Sequence, residues 1–190
     1  MDFKTKDRRQ SVGNGPSLSL EAAHESRLWS WFTGSQIVDM DGKPLRLFHG
    51  TNQDFDAFDR TKSRDDGLVY LSPNPRVASA FALYRSTWQG ANVMPVYVRA
   101  QSLLEIDGGY GEIREVEKTH RPAGMLKDES IAQYMKRNRI EAIVYRNVRD
   151  DVGPSLVPFS DVYVIAPGAQ IKSAVGNAGT FNTNETRITR

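Results

Sequence analysis

The spacing of apolar residues changes several times along this chain, and each change marks an element. The first 25 or so residues, from MDFKTKDRRQ onward, are polar, and Gly13, Gly15 and Pro16 interrupt any period. Residues 1–25 therefore read as a disordered polar leader. RLWSWF then gathers Leu28, Trp29, Trp31 and Phe32 into a turn or two of helix. MDGKP, Met40 to Pro44, is an Asp-Gly turn. PLRLFHG sets Leu45, Leu47 and His49 on one face, the alternation of a half-buried strand. FDAF supplies Phe55 and Phe58 as loop anchors, and the charged run Asp59 to Asp66 reads as solvated.

LVYLS is rich in β-formers and predicts a strand. PNPRVASAFALY opens with Pro75 at a helix N-terminus and spaces Val77, Phe81 and Tyr84 at helical intervals. MPVYVRA is a further strand. Gly108 to Met125 has no clear period and reads as loop. DESIAQYMKRNRI predicts a helix with Asp128 as its N-cap and Ile131, Tyr134 and Met135 on one face. EAIVYRNV and DVYVIA read as strands, and IKSAVGNAG as a last short one. The residues after Phe181 are polar, and 183–190 read as a flexible tail. Strands with a few helices between them, and no regular βαβ alternation, predict an α+β fold. The 190 residues suit one domain, placed at 26–182.

Composition narrows the chemistry. The chain is 39% hydrophobic and 25% charged, ordinary for a globular protein, and its net charge of +2 is too small to argue for nucleic acid or an anionic membrane as main partner. With no cysteine there is no disulfide, cysteine nucleophile or thiolate metal site. Three scattered histidines, His24, His49 and His120, lack metal-site spacing, so no metal is expected. No apolar stretch approaches the roughly 20 residues of a membrane span. The N-terminus has no apolar core of a cleavable signal peptide. It reads either as a flexible tail or as a leader for an apparatus that exports unfolded chains.

Three segments carry candidate chemistry: LFHGT, GLVYLSPNPRVASAFALY and SDVYVIAPGAQIKSA. A neutral imidazole at a strand end, His49, can hydrogen-bond a sugar hydroxyl, and the adjacent Gly50 lets a ligand amide approach the backbone. Thr51 adds a hydroxyl at the same rim. Tyr70 and Phe81 are suited to flank a flat heteroaromatic ring, or equally to fill a core. Asp161, at a strand start, can face a sugar that becomes cationic at its anomeric carbon, or can be a solvated loop carboxylate. Arg60, Lys62 and Arg64 can meet a pyrophosphate, or simply face water.

In this order the segments resemble the mono-ADP-ribosyltransferases of the diphtheria-toxin and poly(ADP-ribose)-polymerase branch. The resemblance is closer to the phage- and effector-associated subfamily found in bacterial polyvalent proteins. It is carried by WFTGSQIVDMDGKPLRLFHGT, YLSPNPRVASAFA, EAIVYRNVRDD and PGAQIKSAVGNAGTF, and spans roughly Leu28 to Phe181. It implies a split β-sandwich with peripheral helices and NAD in the cleft between two small sheets. By the same resemblance His49 holds the adenine-side ribose and the backbone of Gly50 pairs with the nicotinamide carboxamide. Tyr70 matches the second-motif tyrosine, and Phe81 the helix aromatic that stacks on nicotinamide. Ala78 stands where that branch often has a carboxamide-binding serine. Asp161 falls at the catalytic glutamate, one methylene shorter; Gln170 lies too far along the chain to replace it.

The implied activity is transfer of ADP-ribose from NAD to an acceptor, with release of nicotinamide. A protein acceptor is favoured over a nucleic acid because the chain is not strongly basic. A bacterial effector or toxin, made in the cytoplasm and then secreted or delivered into a target cell, fits the leader. A catalytically silent binding module and an NAD glycohydrolase remain open beside it. A small nuclease is disfavoured, because His49 has no evident partner in the sequence.

Overall fold

A computed structural model describes residues 16–63, 66–85, 90–152, 156–167, 169–177 and 179–189. The first helix, α1 (Pro16–Phe32), begins where the polar leader was expected to continue. Proline is well placed there, since the first turn has no use for its missing N–H. The helix is anchored at its far end, where Trp31 and Phe32 are buried against Phe181 and Leu28 and Tyr97 pack around them. That anchor holds residues 16–25 in a helix; residues 1–15 of the expected leader lie outside the described residues.

Two sheets follow. One consists of β1 (Leu47–Thr51), β3 (Asn92–Arg99) and β7 (Gln170–Ser173) in the order β1-β3-β7, all antiparallel. The other consists of β2 (Val69–Leu71), β4 (Leu103–Asp107), β5 (Ala142–Val148) and β6 (Ser160–Ile165) in the order β2-β6-β5-β4. Here β4 and β5 run parallel, so a crossover must join them. That crossover carries α3 (Ile113–Thr119) and α4 (Ile131–Asn138). Helix α2 (Pro75–Arg85) starts at Pro75 as the sequence predicts.

Strand parity distributes the core. Val69 and Leu71, Ala142 and Val144, and Tyr163 and Ile165 face the space between the sheets, where they meet Leu47, Val96, Val98 and Ile171. The alternate residues Ile143, Tyr145, Val162 and Val164 face outward onto Ile113, Val116 and Met135 of α3 and α4. Both faces of β5 and β6 are thus buried, which is why their sequences are apolar runs. The result is the expected α+β split sandwich with helices at its periphery.

Several local expectations change. Residues 113–119 form a helix rather than loop, capped by the Glu112 carboxylate on the Arg114 N–H at 3.0 Å and anchored by buried Ile113 and Val116. Helix α4 is capped by Ser130, not Asp128. Ser130 accepts from the Gln133 N–H, and the Gln133 side chain returns a bond to the Ser130 N–H, a reciprocal capping box. The tail expected to be flexible is pinned. Lys172 is 1% exposed, and a buried ammonium must find acceptors. It donates to the carbonyls of Glu185 at 2.7 Å and Arg187 at 2.9 Å. Ile188 is buried beyond them and joins two segments: its carbonyl accepts from Ser173, and its N–H donates to the Asp56 carbonyl, both at 2.7 Å.

Candidate functional site

The two sheets meet at one point and then part. Phe48 of β1 and Ser72, just after β2, exchange backbone hydrogen bonds of 2.8 and 3.1 Å. Ser72 is buried, and its hydroxyl donates to the Asp161 carbonyl at 3.1 Å and lies 3.0 Å from the Ser160 hydroxyl. One serine therefore ties β1, β2 and β6 together at the mouth of the split. Sequence reasoning passed over Ser72, because nothing in LSPNP distinguishes it from an ordinary turn serine.

His49 stands one residue beyond this bridge, on the inner face with Leu47. Its Nδ1 lies 3.1 Å from the Tyr70 carbonyl oxygen. A carbonyl only accepts, so Nδ1 carries the proton and, in the neutral ring, Nε2 is the acceptor. Phe58 and Phe55 stand edge-on to the imidazole, at 5.1 and 6.2 Å between centroids. The loop aromatics expected as anchors thus fix the ring of His49.

Gly50 is required by packing. A Cβ there would collide with the Ala78 carbonyl and sit 3.0 Å from the Ala82 nitrogen, so α2 lies directly on β1. Its backbone follows strand alternation. Phe48 directs its N–H and C=O toward Ser72, and Gly50, two residues on, turns its own to that same edge, where β2 has parted from β1. Thr51 is buried, and its hydroxyl accepts from the Gln53 N–H at 3.1 Å, closing a turn rather than lining a rim. Phe81 is half-buried on the helix that covers Gly50.

Tyr70 lies on the outer face, against the cluster held by α3, and its hydroxyl donates to Glu117 Oε1 at 3.2 Å. Asp161 takes the opposite parity. It stands on the inner face beside Tyr163, with its Oδ2 2.6 Å from Arg146 Nη1. Arg146 also meets Glu105 at 3.0 Å and the Tyr163 hydroxyl at 3.3 Å. The other Asp161 oxygen accepts the Asn147 N–H at 3.2 Å. That N–H is aimed by a bulge in β5, where Asn147 adopts φ 54°, a conformation asparagine tolerates. Burial works against the charge of Arg146, yet its bonds to Glu105 and Asp161 hold its pKa above the ordinary value.

The split therefore brings His49, the Gly50 backbone and the Tyr70 carbonyl together, and Ser72 ties the Asp161 backbone to them; the Tyr70 ring lies on the outer face of its sheet and the Asp161 carboxylate on the inner one. The split does not enlist Thr51. Nor does Arg60 reach toward a ligand phosphate. Its guanidinium donates to the carbonyls of Gly67 at 3.0 Å and Ile165 at 3.1 Å, and burial lowers its pKa to about 10. Lys62 and Arg64 offer no described side chain. Arg146 and Glu117 escaped sequence reasoning because each meets its partner only through strand register or helix packing.

Near Glu117 the field is negative. Burial first, then Glu112 and Glu117, push the Asp150 carboxyl up to about 7. A separate cleft of about 540 Å3, lined by Trp29, Lys43, Arg46, Phe48, Pro73 and Tyr97, opens between α1 and the outer face of β1 and β3. His49, Tyr70, Phe81 and Asp161 do not line it. Among the described residues, no group of three or more His, Asp or Glu side chains is placed to hold a metal, and no helix is long and apolar enough to cross a membrane.

No curated protein and no solved structure gives a match to the chain. A family described as ADP-ribosyltransferase in polyvalent proteins matches residues 39–181, a span that contains both sheets and every site residue above. The chain belongs to the ADP-ribosyltransferase family of polyvalent proteins.

Proposed function

We propose that the protein cleaves NAD at the bond between nicotinamide and ribose and transfers ADP-ribose to a protein acceptor. The observation that carries this reading is the bond between His49 Nδ1 and the Tyr70 carbonyl at the split. It sets an imidazole acceptor and an open stretch of Gly50 backbone side by side. A dinucleotide needs both: backbone donors and acceptors for the carboxamide, and a fixed acceptor for a ribose hydroxyl. Phe81, on the helix that covers Gly50, would stack on the nicotinamide ring, while Tyr70 contributes the carbonyl that holds His49.

In the reaction the bond from the anomeric carbon to the pyridinium nitrogen breaks. Its electron pair goes to that nitrogen, and neutral nicotinamide leaves. The sugar carbon becomes cationic, and the Asp161 side chain stabilises that charge. The acceptor nucleophile then attacks the same carbon and releases its proton to solvent. Arg146 has two effects on Asp161: it fixes the carboxylate in place, and it offsets part of its field.

That pairing also supports a second reading, a silent module that binds NAD or ADP-ribose without turning it over. Delivery into a target cell as an effector rests on the polar N-terminal segment alone. Export that persists after removal of residues 1–25 would count against it.

The experiment is incubation of purified protein with labelled NAD and cell lysate, beside His49→Ala and Asp161→Ala. A labelled protein band with wild type alone is the expected result, with each variant lowered about a hundredfold or more. Nicotinamide release without a band identifies a glycohydrolase. NAD binding without either signal identifies the silent module.

A further inference from the structure

The cleft between α1 and the outer face of β1 and β3 has no part in the reaction just described, yet it borders the site. At about 540 Å3 it falls within the size range of ligand pockets. Three aromatic rings line it: Trp29 of α1, Phe48 of β1 and Tyr97 of β3. Trp29 is 40% exposed, a large apolar surface left to water at the wall of a groove. Neighbours on a strand face opposite ways, so Phe48 lines this cleft while His49, the next residue, faces the split. Pro73 also lines the cleft, and it follows Ser72, whose hydroxyl holds the Asp161 carbonyl at 3.1 Å. The bridge between Phe48 and Ser72 is therefore a wall shared by the cleft and the mouth of the split.

Charge narrows what can fill it. Lys43 and Arg46 are exposed on the β1 side, and neither forms an ion pair with another described residue. Lys43 is presented by a tight turn in which Gly42 adopts φ 76° and the Asp39 carboxylate accepts the N–H groups of Asp41 and Lys43, each at 2.9 Å. That carboxylate is engaged within its own turn. Glu25 stands on the α1 side. Cations on one wall and an acid on the other suit a peptide, which offers backbone N–H groups as well as isolated carboxylates. A nucleic acid offers a phosphate at every step, and Glu25 and Asp39 would repel it. Aromatic rings that line a groove are suited to an extended, proline-bearing chain. Residues 1–15 of the chain itself do not complement the cleft, because Lys4, Lys6, Arg8 and Arg9 outnumber Asp2 and Asp7. We infer that this cleft is the docking groove for the acceptor, and that it takes an extended acidic segment carrying apolar residues such as proline. This rests on the reading above, in which the acceptor is a protein.

The test is binding of short fluorescent peptides in which proline and leucine alternate with glutamate, glutamine or lysine, beside an oligothymidylate. Wild type is compared with Trp29→Ala and with the double variant Lys43→Glu and Arg46→Glu, with folding checked by circular dichroism. Wild type is expected to bind the glutamate peptide roughly three- to tenfold more tightly than the glutamine peptide, and the lysine peptide least. Trp29→Ala should weaken the glutamate peptide about tenfold, and the double variant should reverse the preference toward lysine. In both variants labelling of lysate protein from NAD should fall while NAD binding stays at the wild-type level. Equal affinity for the three peptides, or peptide binding that neither variant changes, overturns the inference. Tighter binding of oligothymidylate also overturns it and makes the cleft a nucleic-acid site. Labelling that persists in both variants shows that the acceptor docks elsewhere, with the same consequence. A wild type that labels no protein overturns the transferase reading itself, and peptide binding, which needs no NAD, separates that failure from a failure of the groove.

Discussion

The two sides of the split hold their polar side chains by different physics. On the three-stranded side, the partners of His49 among the described residues include a backbone carbonyl and two aromatic rings. None of these partners changes charge. On the four-stranded side, Asp161 is fixed by Arg146 and a bulge N–H, and Arg146 in turn by Glu105. The side chains of Asp161 and Arg146 remain 25% and 33% exposed, so salt reaches them. Packing positions the histidine, and a charge network positions the carboxylate. The first arrangement should fail with the fold, the second without it.

The largest expected effect lies on the packed side. Gly50→Ala drives a methyl group into the backbone of α2, which cannot yield as a flexible side chain would. We expect a loss of several kcal/mol in urea unfolding together with loss of NAD binding. A folded, NAD-binding Gly50→Ala protein would show that α2 is free to move and would break the comparison. Next is Arg146→Met on the charged side. Half-exposed ion pairs contribute about 0–1 kcal/mol, so the melting temperature should change little. Turnover should nonetheless drop roughly a hundredfold as Asp161 loses its position. A large fall in melting temperature with turnover intact would reverse the assignment of the two sides.

The smallest effect concerns Asp150. Its carboxyl is raised from 3.8 to about 7 in the folded protein, by burial first and then by Glu112 and Glu117. The folded state then binds the proton more tightly than the unfolded chain. The resulting stabilisation is full below pH 3.8 and is lost as pH rises through 7. Wild type should therefore lose stability from pH 4 to pH 7. Asp150→Asn, which has no proton to lose, should lose less and melt a few degrees higher than wild type at pH 8. Parallel curves for the two proteins would mean that Asp150 is not held neutral.

Much of the fold was legible where local pattern and tertiary demand agree. VYL, AIVYRNV and DVYVI are β-branched or aromatic runs that stay buried in the finished sheets. The misses are short or mixed segments. LLEID alternates two outward apolar residues with charges and forms β4 only because β5 offers a parallel edge. IREVEKT has just two buried residues, too few to announce a helix. At α4 both Asp128 and Ser130 are good caps, and the deciding residue is Gln133, which completes the box with the serine. The site divides in the same way. Motif order singled out His49, Gly50 and Tyr70, and the structure sets the His49 ring against the Tyr70 carbonyl. It did not single out Ser72, Arg146 or Glu117, since each acquires its partner from a distant part of the chain.

The tail pinned by Lys172 has a consequence for how the protein is made. Ile188 grips Asp56, and Asp56 lies between the two phenylalanines that steady His49. Translation delivers His49 well over a hundred residues before Ile188. Contacts of such high sequence separation close slowly, after the loops between them have collapsed. A nascent chain therefore carries its histidine without the final support until residue 188 has left the ribosome. The order of synthesis itself delays completion of the site.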